Sequence, residues 1–143
     1  MCFQNTIYFL SEDISFDLED QNKVQNWIQN VISKEGKVMG EVTYIFCSDV
    51  YLHKINLEHL GHDTFTDIIT FNYCIEDVIN TDIFISVDRV KENATTFKTT
   101  FQNELNRVII HGILHLVGYD DKNDSDKEVM RTKEDFYLSL LSE

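Results

Sequence analysis

Residues 101–121, FQNELNRVIIHGILHLVGYDD, limit what this chain can fold into more than any other stretch. Phe101, Leu105, Val108, Ile109 and Leu116 recur at helical spacing, so a helix is predicted from about Phe101 to Val117, with one face in a core. Gly118 stops it, because glycine takes the left-handed conformation that closes helices. Two histidines, His111 and His115, stand four residues apart inside this apolar segment. Residues at i and i+4 leave a helix on the same face. Any fold for this chain must therefore bury a helix and still leave room for two neighbouring imidazoles.

The remaining segments alternate between the two periodicities. Residues 3–10 (FQNTIYFL) read as a first strand. From Asp17 to about Lys34 the pattern is helical, with Leu18, Val24, Trp27, Ile28, Val31 and Ile32 on one face. EVTYIFCS, 41–48, is rich in β-branched and aromatic residues and reads as a strand. Ser48 caps a short helix running through Leu60, with Leu52, Ile55 and Leu60 expected inward. DIITFNYC, 67–74, and DIFISV, 82–87, are two more strands, followed by a helix near Arg89–Thr95. Ser125-Asp126-Lys127-Glu128 has the form of a capping box opening a last helix, with Val129, Phe136, Leu140 and Leu141 as its expected inner face. The order βαβαββααα predicts an α+β fold: one mixed sheet of about four strands with helices packed on it. Residues 1–143 suit a single domain, and 43% hydrophobic residues suffice for a core.

The histidine pair raises the question of a metal. Two imidazoles at this spacing can reach one ion at about 2.0–2.1 Å each. Such a pair is also at home on a half-buried helix face with no ion. Asp121 supplies the further element. In an unbroken helix it would lie about 15 Å beyond His111, but a turn at Gly118 lets it fold back. Asp120, its neighbour, would point the other way, so one of the two aspartates is expected to bind. Three protein ligands leave a fourth position open, the arrangement of catalytic zinc. The spacing HxxxHxxGxxD parallels the protease pattern HExxHxxGxxH. There the residue after the first histidine is a glutamate general base; here it is Gly112, with no side chain to act.

Composition narrows the setting. Cys2, Cys47 and Cys74 are odd in number and widely spaced, which excludes a disulfide framework and fits a reducing cytoplasm. Cys47 and Cys74 are expected to be buried in strands. No basic region followed by an apolar run opens the chain, and no apolar run is long enough for a bilayer, so neither secretion nor a membrane is expected. Twelve basic against 25 acidic residues give a formal net charge of −13, which repels polyanions in general.

Taken whole, His111 to Asp121, HGILHLVGYDD, resembles the signature HGxLHLxGYDH of the YbeY family of bacterial metal-dependent endoribonucleases, whose members are implicated in rRNA maturation and ribosome quality control. Asn56 to Phe71, NLEHLGHDTFTDIITF, is similar to the family's LNxxYRxxDxPTDVLSF, with Asn56, Asp63, Thr66, Asp67 and Phe71 matching. Asp82, Ile83 and Ser86 stand where the family has GDIxIS. The resemblance covers roughly residues 40–135.

It implies a cytoplasmic, single-strand-specific endoribonuclease with one zinc ion, or another divalent ion, held by His111, His115 and Asp121. It also implies rRNA and the ribosomal small subunit or its assembly factors as partners. Two positions depart from the pattern. Asp121 stands where relatives carry a third metal histidine, which lowers the net charge of a zinc site from about +2 to about +1. Leu60 stands at the family arginine, and no leucine can make charge-assisted hydrogen bonds to phosphate. His62 and Arg89 are the candidates to take over that catalytic role, against their readings as a solvated loop histidine and a surface helix residue. Asp120 is a candidate partner for a ligand histidine. Lys54 and Arg107 are candidate substrate contacts. His53, His59 and His62 form a loose series not expected to hold a second ion, and Thr66 and Asp67 are expected to shape the turn into the sheet. With no basic stripe, binding to free RNA is expected to be weak and salt-sensitive. The other readings are a metallohydrolase of another substrate class and a non-catalytic ribosome-associated protein with a structural metal.

Overall fold

The computed structural model describes residues 7–141. Its elements are β1 (Ile7–Ser11), α1 (Gln21–Lys34), β2 (Val38–Cys47), α2 (Asp49–Leu60), β3 (Ile68–Asn72), β4 (Val78–Ser86), α3 (Val87–Thr96), α4 (Phe101–Leu116) and α5 (Asp124–Leu141). The order βαβαββααα is the expected one; residues 3–6 of the first predicted strand lie outside the described residues. The four strands form one mixed sheet in the order β1-β2-β4-β3. β1, β2 and β4 run parallel, and β3 pairs antiparallel with β4.

Alternation along the strands divides the core between the two faces. Val42, Tyr44 and Phe46 of β2 join Ile79, Ile83 and Ile85 of β4 on the face covered by α1, α4 and α5. Cys47 and Ile69 turn to the other face, where Leu52 of α2 packs on them. α4 lies close against the sheet. A Cβ on Gly112 would come 3.0 Å from Ile68 Cδ1 and 3.2 Å from Ile83 Cδ1, so glycine here sets the distance between helix and sheet. Tyr44 donates its hydroxyl to the Ile109 carbonyl at 2.9 Å and ties the two layers together.

Several local expectations need correction. Asn123, not Ser125, caps α5: its side chain accepts from the Asp126 amide at 2.8 Å. The inner face of α5 is Met130, Glu134, Tyr137 and Leu141, while Val129 and Phe136 are about half exposed. The true stripe contains a glutamate, so a search for apolar residues alone chooses the wrong face. Leu60 is 45% exposed at the end of α2 rather than inward. β2 begins earlier than expected, with an irregularity between Met39 and Val42, and β4 begins at Val78 because Ile75 and Val78 close a tight hairpin. Cys74 is half-buried just beyond β3, and Cys47 is fully buried in β2. Burial pushes the Cys47 thiol up to about 12, aided by the carboxylates of Asp13 and Asp88.

Candidate metal centre

α4 ends as Gly118 predicts. Gly118 has φ +118°, and the closing turn is held by the Gly118 amide donating to the His115 carbonyl and the Tyr119 amide to Leu114. This paired pattern is the glycine-terminated helix stop. It sends the chain back over the last turns of α4 and brings Asp121 to the histidine pair. His111 Nε2 and His115 Nε2 lie 2.9 Å apart. Asp121 Oδ2 is 3.4 Å from each. Among the described residues, these three form the group whose ligand atoms all lie within 4.8 Å of one another.

Donors on one tetrahedral ion at about 2.0–2.1 Å would stand about 3.3 Å apart. The two His–Asp separations already match, and the imidazoles need to part by a few tenths of an ångström. The donor set also fits. Each ring has its other nitrogen occupied, which leaves Nε2 for an ion. His115 Nδ1 lies 2.9 Å from the Tyr119 carbonyl. His111 Nδ1 lies 2.7 Å from Glu134 Oε2. A carboxylate behind a metal-binding imidazole fixes its tautomer and makes it a better ligand.

Glu134 is buried and is itself held by Arg107, whose Nη1 lies 2.8 Å from Oε1; Arg107 Nη2 reaches Asp135 at 2.8 Å. Burial works against the charge of His111, but the hydrogen bond and charge of Glu134, with Asp121 and Asp67, outweigh it and raise the imidazole above its ordinary range. The ring is thus set up to hold a proton that an ion would displace.

The group lies at a cavity of about 550 Å³ whose walls include Asn56, Leu60, His62, Thr64, Asp67 and Thr70. Among the described residues, no lysine or arginine lines it. Asp67 stands between this cavity and a smaller one of about 170 Å³ that lies behind His111 and is also lined by Arg107 and Glu134. Its carbonyl accepts from the Ser86 amide, so it does shape the entry to the sheet. Its carboxylate accepts from Asn93 Nδ2 at 3.3 Å. Burial raises the Asp67 carboxyl above the usual carboxylate range, against the pull of the His111 charge.

The other sequence candidates are dispersed. His62 is on the cavity wall. Arg89 points elsewhere: Nη2 and Nε bind Asp49 at 2.7 and 3.3 Å, Nη1 reaches Glu92 at 3.3 Å, and the guanidinium lies over the Phe65 ring. Lys54 is at a separate cavity of about 370 Å³ with Tyr51, His59 and Tyr73. Arg107 is behind His111, as described. Asp120 is exposed and lines a shallow depression with Asp126 and Val129; the place beside the imidazoles belongs to Glu134 and the Tyr119 carbonyl. His53 hydrogen-bonds Asp63 and stacks on Phe65, and His59 meets the edge of Phe71, so the three-histidine series does not converge. Glu134 escaped the sequence reading, although its place between Met130 and Tyr137 at helical spacing was a usable signal.

The family model for the endoribonuclease YbeY matches residues 7–142. The endoribonuclease YbeY of Flavobacterium johnsoniae is 52% identical over 129 residues, covering 90% of this chain and 93% of that protein. The endoribonuclease YbeY of Christiangramia forsetii is 48% identical over 135 residues, with 94% of each chain covered. Among solved structures, the solution structure of TM1509 from Thermotoga maritima superposes with a TM-score of 0.67 at 32% identity, over 95% of this chain and 89% of that one.

Proposed function

Because this chain belongs to the endoribonuclease YbeY family, we propose that it cleaves single-stranded RNA during rRNA maturation, using one divalent ion held by His111, His115 and Asp121 in a single domain spanning residues 1–143. The observation that carries this reading is the convergence of the three donors beside an open cavity, with both Nδ1 atoms already occupied. Zinc fits the N, N, O donor set best. A bound ion there supplies Lewis acidity toward a phosphoryl oxygen and makes water a stronger acid.

The chain's own residues position and exclude. Glu134 and the Tyr119 carbonyl hold the imidazoles in one tautomer. Asp121 brings the ligand set close to +1 in net charge with zinc, less positive than a three-histidine site and more tolerant of harder ions such as manganese. Leu60 offers phosphate only an apolar wall. His62, on the same wall, is the histidine of the cavity lining outside the ligand group and the one offered to phosphate, whereas Arg89 must first release Asp49. Arg107 serves substrate only indirectly, being engaged by Glu134 with Asp135, whereas Lys54, exposed beside Glu58, stays free to meet substrate. With a net charge of −13, binding to free RNA is weak and falls with salt, and delivery by the ribosomal small subunit or an assembly factor brings the substrate to the site. No described helix is long and apolar enough to cross a membrane, and a cytoplasmic setting is part of the proposal.

The test is cleavage of an rRNA precursor, with removal and return of metal, by wild type, His115→Ala and Asp121→Ala. Chelator-reversible cleavage lost in both variants is the expected result. Cleavage that persists in both overturns the assignment. Stoichiometric metal with no RNA cleavage favours a metallohydrolase of another substrate class, the reading supported by a cavity lining that, among the described residues, holds no lysine or arginine.

A further inference from the structure

The carbonyl that holds His115 belongs to the same bend, Gly118 to Asp121, that delivers the third donor. Backbone hydrogen bonds pin this bend only where it leaves α4. Its next anchor is a side chain. The Tyr119 hydroxyl donates to Glu35 Oε1 at 2.7 Å. Glu35 closes α1, far from Tyr119 in the chain. Its second oxygen accepts from the Tyr137 hydroxyl and from Lys133 Nζ, the latter at 3.4 Å. Lys133 also lies 5.4 Å above the centre of the Tyr119 ring. The Glu35 side chain is only 11% exposed.

An enclosed carboxylate is costly unless its oxygens are hydrogen-bonded, and a well-packed apolar group of similar size often stabilises a fold as well or better. Joining α1 to α5 therefore does not by itself call for this arrangement. What the carboxylate adds is direction. It fixes the ring of Tyr119, two residues before Asp121, through a hydroxyl, while the backbone carbonyl of Tyr119 holds His115.

We infer that Glu35 is a positioning residue of the metal centre: through the Tyr119 side chain it fixes the bend, so that His115 and Asp121 meet an ion in one geometry. This rests on the metal reading of His111, His115 and Asp121. Glu35 touches neither ion nor substrate; it acts through the bend alone.

Tyr119→Phe and Tyr137→Phe each remove one hydroxyl from Glu35, but only the first frees the bend. The experiment titrates metal-free full-length protein with zinc by calorimetry and follows the His115 ring nitrogens by NMR, with melting curves alongside. Tyr119→Phe is expected to weaken zinc binding about tenfold, in line with partners behind metal ligands, and to broaden or shift the His115 Nδ1 signal. Tyr137→Phe is expected to lower the melting temperature and leave zinc affinity within a factor of about two of wild type, well short of that tenfold loss. Glu35→Gln, which keeps one acceptor oxygen, is expected to recover part of the affinity that Glu35→Ala loses. If Tyr119→Phe folds and binds zinc as wild type does, the inference is overturned while the metal reading stands. If the two phenylalanine variants lose affinity only in proportion to stability, Glu35 is structural glue. Wild type that takes up no stoichiometric zinc overturns the metal reading and this inference with it.

Discussion

The two walls of the cavity are built to different standards. On the α4 side, both imidazoles have a second partner. His111 has Glu134, His115 has the Tyr119 carbonyl, and Glu134 has Arg107. On the α2–β3 side, Leu60 and His62 are exposed at a helix end and loop, and among the described residues no charged group pairs with His62. The first wall holds its imidazoles in place around a group that could hold an ion. The second, among the described residues, presents no lysine or arginine to the cavity. The contrast separates the two tasks of the proposed function: the donors offered to an ion are held from behind, while the wall offered to phosphate has no lysine or arginine among the described residues.

Substitutions can break this asymmetry from either side. The largest effect is expected from Glu134→Gln. An amide in place of the carboxylate removes the charge that holds His111 and leaves Arg107 short of a partner. Zinc affinity should fall about 10- to 100-fold, with a loss of about 1–3 kcal/mol in stability. Competition titration and chemical denaturation measure the two; unchanged zinc affinity would show that the α4 wall is not preorganised through this carboxylate. A smaller effect should come from Leu60→Arg, which builds up the weak wall. One added phosphate contact should steepen the salt dependence of single-strand RNA binding by about 0.7 in log–log slope, while zinc affinity stays level. A slope that does not move would place phosphate elsewhere.

The smallest effect concerns pH. Burial disfavours the charge on Glu35, but hydrogen bonds from Tyr137 and Tyr119 and the charge of Lys133 outweigh it and hold the carboxyl below its ordinary 4.5. A depressed carboxyl contributes stability above its unfolded value and loses it as pH falls through the folded one. The melting temperature of wild type should therefore exceed that of Glu35→Gln near neutrality, and the gap should close below about pH 4.5. A gap that widens on acidification would reverse the sign assigned to this group.

Much of the ion-binding wall was legible in the sequence because its determinants are local. An i, i+4 pair and a glycine seven residues after the first histidine are facts of one helix and one turn, and the periodic segments likewise yielded the element order. The sheet order β1-β2-β4-β3 was not legible, because parallel pairing between distant strands leaves no local mark. Glu134 was hidden because an acid on the inner face of a helix looks like a break in the apolar stripe until its partners on another helix are known. The carboxylate pairing of Arg89 and Arg107 was hidden for the converse reason. With 25 acidic residues to 12 basic ones, a cation that looks available for phosphate has usually found a carboxylate first, as Asp49 and Glu134 show.

The close seat of α4 on the sheet has a consequence for what chemistry this scaffold can reach. A peptidase of the related metal pattern needs a glutamate at position 112, one residue after the first ligand. Here a side chain at that position would first meet Ile68, Ile83 and Thr70, at 3.0–3.2 Å from its Cβ. Gly112→Glu would drive a carboxylate into the layer between helix and strands, and relieving it would tilt the helix that carries both imidazoles. A general base at this position therefore asks for more than one substitution: Ile68, Thr70 and Ile83 must give way with it.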